Sequence, residues 1–290
     1  MIRFIVNPSA GKHKNLKILE KDIKKLFPES ETIYTKYAGN AKELALEAAQ
    51  KNYSVTVAVG GDGTINEVTQ GLVNSNTALG IIPCGSGNGF ARMIKIPLKD
   101  TLKCLEIIKK GRARRIDVGQ ANNEYFLNVA GFGFDALVAQ KFAKSKRRGK
   151  LPYFKIGIKE YFSYQPVKCN LIFEDGIKTE LSPLCLAFAN GNQYGSNFYI
   201  APKASLDDGL LDMINLAPAN IFKILFGLPN FFKEGLSPIK LTNTKKIKEV
   251  TISVNGPFVY HIDGEPRECQ NGKLKVKICP KSLIVIVPEE

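Results

Sequence analysis

A glycine-rich loop with one carboxylate follows an apolar run that is typical of a buried strand. Residues 55–59 form the apolar run, residues 60–64 read Gly-Gly-Asp-Gly-Thr, and a helical pattern begins directly after them. Glycine allows positive φ and close approach of a ligand, and a helix start offers N–H groups to phosphate. Thr64 can cap the helix, and Asp62 can hold Mg2+ through water. The loop therefore favours a nucleotide site over a plain tight turn.

Two other segments of the first half suit the same chemistry. Residues 7–12 read Asn-Pro-Ser-Ala-Gly-Lys after the first strand, where small residues and a lysine fit nucleotide contacts. Residues 83–90 contain a second glycine loop, which can bring Ser86 and Asn88 to the same site, although a G-x-G pattern alone is a weak signal. The chain has no G-x-x-x-x-G-K-[ST] sequence, which argues against a P-loop ATPase.

Two acidic clusters lie in the second half. Residues 207–212 read Asp-Asp-Gly-Leu-Leu-Asp, a spacing that suits either a hard cation or a solvated turn before a strand. Residues 261–266 read His-Ile-Asp-Gly-Glu-Pro and place Asp263 and Glu265 at a bend after an apolar strand. One of these carboxylates can accept a proton from a hydroxyl group, but a plain hairpin turn would have a similar sequence. Both interpretations stay open for each cluster.

The elements that position the loops alternate between strand and helix over residues 1–119. Strand 2–6 precedes apolar residues at helical spacing, a short strand at 32–35, and a helix that Asn40 and Glu43 would open as a cap pair. The glycine loop follows, with a helix to residue 73, a strand at 79–82 and a helix at 99–109. This order predicts an open parallel α/β sheet with ligands at the carboxyl ends of its strands.

Short alternating strands and turn signals characterise residues 120–280. They predict an all-β domain, an antiparallel β-sandwich or barrel. The apolar strand 283–287 either returns to the first sheet, so that residues 281–290 belong to the first domain, or stays with the second. Because no linker separates the halves, we expect the active site in the cleft between the domains. The expected strands are 125–129, 170–173, 178–181, 250–254, 258–262 and 274–278.

Composition limits the partners. Lys plus Arg number 41 against 27 Asp plus Glu, so the net charge is +14, which suits nucleic acid or an anionic membrane. We expect no nucleic acid, because no helix-turn-helix, RNA-recognition or zinc-finger pattern is present. Six cysteines without C-x-x-C spacing predict free thiols and no zinc site. No run suits a signal peptide or a membrane span, so we expect a cytoplasmic protein.

The motifs, taken in order, resemble the lipid kinase family of bacterial diacylglycerol kinases, sphingosine kinases and ceramide kinases. They are Asn-Pro-x-x-Gly, Gly-Gly-Asp-Gly-Thr with Asn-Glu, Pro-x-Gly-x-Gly-Asn, Ile-Asp-Val-Gly at 116–119, Gly-Phe-Asp-Ala at 133–136, Asp-Asp-Gly-Leu-Leu-Asp, and Asp-Gly-Glu. The resemblance covers nearly the whole chain. It implies an N-terminal domain similar to NAD kinase, followed by a β-sandwich. It also implies phosphorylation of a diacylglycerol-like lipid hydroxyl with ATP and Mg2+.

The resemblance also implies roles for individual residues. Glu265 corresponds to the general base, and Asp62 and Asp117 correspond to carboxylates that hold catalytic Mg2+ through waters. A structural Mg2+ would bind at Ser205, Asp208 and Leu210, with Ser205 and Leu210 contributing backbone oxygens. The positions that correspond to the ATP site are Asn7, Pro8, Ser9, Ala10, Gly11, Thr35, Gly61, Asp62, Gly63, Thr64, Ile65, Asn66, Glu67 and Ser86.

One position departs from the family pattern. Bacterial diacylglycerol kinases usually carry Gly-Asn-Asp-Phe where residues 87–90 read Gly-Asn-Gly-Phe, so Gly89 lacks the usual acid. Either Asp62 and Asp117 suffice for the metal, or the lipid differs. The alternatives are an NAD kinase-like phosphotransferase, which shares the Gly-Gly-Asp-Gly-Thr loop, and a nucleotide-binding pseudokinase without turnover. The other motifs fit a lipid kinase better than an NAD kinase.

Two segments suit docking to a bilayer. Residues 141–150 contain six cations, and residues 221–232 are mostly aromatic and apolar. We therefore expect the lipid substrate to be reached by peripheral association with an anionic membrane. A solvated basic face, a core helix and a lipid-tail pocket are the alternatives. The sequence leaves open whether the chain forms a homodimer.

Overall fold

The computed structural model describes residues 1–11, 16–145, 150–233 and 242–289. The chain forms two compact units. The first comprises Met1–Val118 and Pro280–Glu290, and the second comprises Gly119–Cys279. No helix in the described ranges is both long enough and apolar enough to cross a membrane.

The first unit has a parallel sheet with helices between its strands, which confirms the predicted α/β class. The strand order is β2-β1-β3-β4, and Val285 of the last strand of the chain pairs in parallel with Leu79 of β4. The C-terminal residues therefore complete the first sheet. In chain order the elements are β1 (Ile2–Val6), α1 (Leu16–Leu26), β2 (Glu31–Tyr34), α2 (Asn40–Gln50), β3 (Val55–Gly60), α3 (Asp62–Leu72), β4 (Ala78–Pro83), α4 (Gly89–Met93), α5 (Thr101–Lys110) and the first part of β5 (Arg112–Ala121).

The strand order reverses direction between β1 and β3. The chain moves from β1 outward to β2 and then crosses back to β3, with α2 packed against α3 and α1 against α5. Gly71 allows the close approach of α2 and α3, because a Cβ there would lie 2.6 Å from the backbone nitrogen of Leu46. Open α/β sheets bind ligands at the carboxyl ends of strands where the order reverses. Asn7 follows β1 and Gly61 follows β3, so both lie at this point.

The second unit is built mainly from two antiparallel sheets, which confirms the predicted sandwich class. One sheet has the order β14-β13-β10-β7-β16-β17, and β18, β15, β8 and β9 pair in the other. Phe132 and Phe188 of the first share one apolar core with Leu171 and Val250 of the second. The elements are β6 (Glu124–Phe126), β7 (Val129–Gly133), α6 (Phe134–Ala143), α7 (Lys150–Tyr161), β8 (Cys169–Phe173), β9 (Lys178–Leu181), β10 (Cys185–Ala189), β11 (Gln193–Gly195), β12 (Phe198–Tyr199), β13 (Leu211–Leu216), α8 (Ile221–Gly227), a 3-10 helix (Leu228–Phe232), β14 (Thr242–Ile247), β15 (Glu249–Ser253), β16 (Phe258–Ile262), β17 (Glu265–Cys269) and β18 (Lys273–Val287).

Three predicted strands were wrong in their bounds. The strand expected at 125–129 is divided into β6 and β7, because the N–H groups of residues 127–129 donate to the carboxylate of Asp263 instead of to a neighbouring strand. The strands expected at 274–278 and 283–287 are one continuous strand, β18. A positive φ of 49° at Lys281 shifts the alternation of buried side chains, so that Leu274 and Val276 are buried before it and Leu283 and Val285 after it.

Both predicted helix caps were also wrong. Gly39 is the N-cap of α2 and makes no side-chain cap bond, while Asn40 is the first helical residue. Glu67 of α3 takes over the capping, because its carboxylate accepts the N–H groups of Gly39 at 2.9 Å and Ala41 at 3.2 Å. Thr64 lies inside the first turn of α3, whose N-cap is the preceding glycine. In α2, a contact between packed helices thus replaces the expected local cap.

Candidate functional site

Loops at the carboxyl ends of β1, β3 and β4 pack directly against one another. A Cβ on Gly85 would lie 2.8 Å from the Cα of Gly61. A Cβ on Gly11, which has a φ of 72°, would overlap the carbonyl oxygen of Cys84. Only glycine allows the backbones to approach this closely. The three motifs that the sequence places far apart therefore form one site in the first unit.

Asn7 connects the first loop to α3. Its Oδ1 accepts the N–H of Ser9 at 2.9 Å, and its Nδ2 donates to the Oγ1 of Thr64 at 3.0 Å. Its own N–H donates to the carbonyl of Val59 at 3.0 Å. Both ends of the side-chain amide are thus engaged, and Thr64 is buried beneath the loop. Asn7 and Thr64 set the position of the loop relative to the start of α3.

The carboxylate of Asp62 holds the second glycine loop. Its Oδ2 accepts the N–H of Asn88 at 2.7 Å, and its Oδ1 accepts the N–H of Gly89 at 2.8 Å. These donors are at the first residues of α4, where a negative charge is favourable. The contact at position 89 uses the backbone, so it does not require the acidic side chain that the family pattern implies there.

The second loop is shaped by its own asparagine. Asn88 has a φ of 50° and is buried, and its side chain accepts the N–H of Gly85 at 3.0 Å and donates to its carbonyl at 2.7 Å. Ser86 is exposed at the tip. The expectation that both side chains face the same site was therefore wrong for Asn88, because its amide is used inside the loop.

The start of α3 is open. A Cβ added to Gly63 would have no atom within 4 Å, and the N-cap Gly61 makes no side-chain cap bond. The first N–H groups of a helix have no intrahelical partner and carry partial positive charge. A phosphate group is the kind of ligand that such a helix start binds.

The other positions that the resemblance assigns to ATP lie around this opening or behind it. Pro8, Ser9 and Gly11 are exposed in the first loop, whereas Ala10 is half-buried. Thr35 follows β2, beside the first loop, since its N–H donates to the carbonyl of Val6 at 2.9 Å.

Three of these positions lie further along α3. Ile65 is buried in the core, and Glu67 caps α2. The Oδ1 of Asn66 accepts a hydrogen bond from the Nε2 of Gln70 at 2.9 Å. These side chains contribute to the packing of the helix.

Asp117 lies on β5 and is fully buried. Its Oδ1 accepts the N–H of Lys281 at 2.7 Å, at the residue whose positive φ shifts the alternation of β18. The carboxylate therefore stabilises the backbone of β18 at the residue where the alternation of buried and exposed side chains shifts. Its role as a magnesium ligand through water stays a prediction.

In the second unit, the Asp-Gly-Glu motif forms a two-residue hairpin turn between β16 and β17. Asp263 and Gly264 have φ values of 48° and 87°, as in the turns that favour tight hairpins. The carboxylate of Asp263 accepts the N–H groups of Leu127 and Asn128 at 2.9 Å and of Val129 at 3.0 Å. Asp263 is thus a structural residue of the turn.

Glu265 is the first residue of β17 and is exposed. Its carboxylate makes no hydrogen bond to any residue in the described part of the chain. The sequence left open which of the two carboxylates can take a proton. The geometry favours Glu265, because Asp263 is occupied by three backbone donors.

A polar cluster around the buried His261, beside this hairpin, was missed by the sequence reasoning. The Oδ2 of Asp135 lies 2.9 Å from the hydroxyl of Tyr194, which donates to it, and 3.1 Å from the Nε2 of His261. Burial raises the pKa of Tyr194 well above its ordinary value, and the charge of Asp135 adds to the rise. The available signals were the Gly-Phe-Asp motif at 133–135, which had no assigned role, and the histidine directly before Ile-Asp-Gly-Glu.

The acidic turn at 207–212 is paired with a lysine side chain. Asp208 forms an ion pair with Lys246, whose Nζ also lies 3.8 Å from the Oδ2 of Asp212. Burial raises the pKa of Asp212, and the charge of Lys246 partly offsets the rise. In the described part of the chain, no group of three His, Cys, Asp or Glu side chains gathers as a metal site.

The fit of this turn to Mg2+ depends on Asp208 and on backbone oxygens. The N–H of Leu210 donates to the Oδ1 of Asp208 at 3.1 Å, and the hydroxyl of Ser205 donates to the Oδ1 of Asp207 at 2.7 Å. Oxygen donors of this kind suit Mg2+. A metal ion here would take the place that the Lys246 ammonium occupies beside Asp208.

Two family models match successive parts of the chain. Residues 1–121 match the diacylglycerol kinase catalytic domain, and residues 128–287 match the YegS C-terminal NAD kinase beta sandwich-like domain. The chain is 33% identical over 271 residues to the diacylglycerol kinase of Bacillus subtilis (strain 168), covering 91% of this chain and 89% of that protein. It is 30% identical over 235 residues to the diacylglycerol kinase of Mycobacterium tuberculosis (strain ATCC 25618 / H37Rv), covering 79% and 75%.

A solved structure shows the same fold. The crystal structure of a diacylglycerol kinase from Bacillus anthracis str. Sterne matches with a TM-score of 0.72 at 20% identity, over 99% of this chain and 96% of that one. The family expected from the motifs is confirmed. The chain belongs to the diacylglycerol kinase family of lipid kinases, which are phosphotransferases with an alcohol group as acceptor.

Proposed function

We propose that the chain transfers the γ-phosphoryl group of ATP to the hydroxyl group of a diacylglycerol-like lipid, with Mg2+ as cofactor. The observation that carries the proposal is the open start of α3 at Gly63, where glycine loops from three strands meet. Such a site binds phosphate through backbone N–H groups, and membership of the diacylglycerol kinase family supports ATP as the phosphate donor.

The residues of the first unit hold the nucleotide in this scheme. The start of α3 and the exposed residues of the first loop bind the phosphates, with Ser86 at the tip of the second loop. Asp62 and Asp117 would hold Mg2+ through waters, and a bound ion would neutralise charge on the transferred group. Phosphoryl transfer needs little covalent chemistry from the protein, so positioning is the main contribution of these loops.

Glu265 of the second unit is the general base. As the lipid hydroxyl oxygen forms a bond to the γ-phosphorus, its proton passes to the Glu265 carboxylate. The bond between the γ-phosphorus and the bridging oxygen breaks, and ADP leaves with that electron pair. The proton then returns to water. The exposure of Glu265, and its lack of hydrogen bonds to described residues, support this role.

We also propose peripheral docking to an anionic membrane. Helix α8 exposes Phe222 and Phe226, with 65% and 83% of their surfaces accessible, which suits insertion between lipids. Of the basic run, residues 146–149 lie outside the described residues, and Lys141 lies 3.7 Å from the Glu160 carboxylate. Salt-sensitive binding to phosphatidylglycerol vesicles would support docking. Equal binding to neutral and anionic vesicles at low salt would contradict it.

Replacing Gly63 by alanine tests the nucleotide site. The added methyl group meets no protein atom within 4 Å, so the free chain should keep its stability or gain up to ~1 kcal/mol from better helix propensity. A phosphate bound at this helix start would meet the methyl group. We expect the Kd for ATP to rise about tenfold or more, equal to ~1.4 kcal/mol.

Gly157→Ala is the matched control, since Gly157 also lies in a helix and its added Cβ would make only an ordinary contact at 4.0 Å. Unchanged ATP affinity in Gly63→Ala would contradict the site. Radiolabelled ATP offered with diacylglycerol and with NAD then tests the reaction. Label transfer to NAD alone would indicate an NAD kinase-like enzyme, and transfer to neither substrate nor any of a lipid panel would indicate a pseudokinase.

A further inference from the structure

We propose that Asp135, His261 and Tyr194 are positioning residues that hold the hairpin carrying Glu265. This inference rests on the proposed function, because it assigns these residues to the orientation of the general base. All three belong to the second unit, as does the hairpin.

The hydrogen bonds of the cluster have one consistent direction. The N–H of Gly264 points to the Nδ1 of His261 at 3.4 Å, so Nδ1 is the acceptor and Nε2 carries the proton. Nε2 then donates to the Oδ2 of Asp135 at 3.1 Å, and the hydroxyl of Tyr194 donates to the same oxygen at 2.9 Å. The other oxygen of Asp135 accepts the N–H of Ala136 at 2.9 Å.

The cluster is built into the sheet. Gly131 of β7 lies opposite His261 in the strand register, and a Cβ on Gly131 would overlap both the Oδ2 of Asp135 and the Nε2 of His261. The side chain of His261 is 2% exposed and that of Asp135 is 12% exposed. A hydrogen-bonded pair with one fully buried member keeps its geometry, because breaking it would leave the Nε2 of the His261 ring without a partner in the interior.

The cluster reaches Glu265 through the backbone. Gly264 immediately precedes Glu265, and the turn is anchored on its other side by the Asp263 carboxylate. The Glu265 side chain makes no hydrogen bond to described residues. Apart from the attraction of the Arg267 charge, its direction depends on the backbone of this turn. Misplacement of a catalytic group by ~1 Å can cost about a hundredfold in rate. His261 is buried and faces Asp135, so it acts through the turn and does not itself contact the substrate.

A kinetic experiment separates positioning from general stability. We expect His261→Ala to lower kcat for diacylglycerol about 10- to 100-fold with the KM for ATP unchanged. In a Glu265→Gln background, the same substitution should lower kcat less than about threefold, because no carboxylate remains to be positioned. Equal losses in both backgrounds, or no loss in the wild-type background, would overturn the inference.

Tyr194→Phe provides a milder variant in case His261→Ala does not fold. It removes the Tyr194 hydroxyl group that donates a hydrogen bond to Asp135. We expect a several-fold loss of kcat that again depends on the presence of Glu265. If the wild-type chain phosphorylates diacylglycerol and Glu265→Gln is impaired, but neither substitution lowers kcat, only the positioning role fails. If the wild-type chain transfers no phosphate to any lipid, the proposed function fails and this inference fails with it.

A spectroscopic test does not depend on activity. The chain has 2 histidines, so 15N-labelled imidazole signals can be assigned by substituting His13. We expect the His261 ring in the full chain to carry a proton at Nε2, with slow proton exchange that Asp135→Asn abolishes. A His261 ring protonated at Nδ1 at neutral pH would overturn the proposal.

Discussion

Two carboxylates that lie two residues apart should respond in opposite ways to the same isosteric change. In Asp263→Asn, the amide oxygen can keep the bonds to Asn128 and Val129, but these become neutral bonds and lose about 1 kcal/mol each. The amide nitrogen would face the buried N–H of Leu127, which loses its acceptor at a cost of about 1–3 kcal/mol. We therefore expect the free energy of unfolding to fall by about 4 kcal/mol, out of a total of roughly 5–15 kcal/mol.

Glu265→Gln should leave stability unchanged, because the carboxylate is exposed and makes no hydrogen bond to described residues. It should lower turnover by about 10²- to 10⁴-fold, the usual contribution of a general base. Urea unfolding of the full chain measures the first effect, and transfer of radiolabelled phosphate to diacylglycerol measures the second. ATP binding should persist in Glu265→Gln, since the proposed nucleotide site lies in the first unit.

Any of three results would contradict these assignments. If Asp263→Asn unfolds at the wild-type urea concentration, the three backbone bonds do not stabilise the turn. If Glu265→Gln phosphorylates lipid at the wild-type rate, Glu265 is not the base. A loss of stability in Glu265→Gln as large as that in Asp263→Asn would show that the geometry assigns the two carboxylates incorrectly.

Three other perturbations test the remaining polar groups. Asp62→Asn weakens two hydrogen bonds from backbone N–H groups, so in the absence of ATP and Mg2+ it should lower the free energy of unfolding in urea by about 2 kcal/mol. Glu106→Gln changes an exposed acid of the same unit and should leave the free energy of unfolding unchanged. Lys246→Met should raise the pKa of Asp212 further, because it removes the positive charge beside this buried carboxylate. The variant should therefore lose most folding stability near neutral pH, and less as the pH falls and Asp212 is protonated. Added Mg2+ should reduce the loss. Burial raises the pKa of the Cys84 thiol from 9.0 to about 11. The contribution of the protonated thiol to the free energy of unfolding is therefore present below pH 9.0 and is lost as the pH rises through about 11. The rate of alkylation by iodoacetamide, compared with that of Cys84→Ser, should rise over the same alkaline range.

The sequence predicted those features that depend on local patterns. Apolar runs and helical spacing gave the strands and helices of the first sheet, and the glycine loops indicated where its strands end. The caps of α2 and the division between β6 and β7 could not be predicted, because each depends on a side chain that is distant along the chain. Glu67 lies 28 positions from the N–H of Gly39, and Asp263 lies 136 positions from that of Leu127.

The candidate site shows the same limit. Residue types alone could not distinguish Asp263 from Glu265, because the distinction depends on which carboxylate three remote N–H groups reach. For the same reason, the sequence assigned no role to Asp135 and His261, although Asp135 lies in the Gly-Phe-Asp-Ala motif and His261 directly precedes Ile-Asp-Gly-Glu. The pairing of Lys246 with the acidic turn could not be predicted, because lysines are common in this basic chain. The pairing depends on the strand register that places Lys246 opposite Asp212.

The place of the last strand has a consequence for biosynthesis. Strand β4 is buried along its whole length, yet Val285, which pairs with its Leu79, leaves the ribosome some two hundred residues after it. Until then, β4 is an open edge of apolar residues that can pair with another nascent chain. Co-translational folding of the first unit therefore stays incomplete until residue 285 has left the ribosome, and chaperone capture of the emerging chain would protect this edge in the meantime.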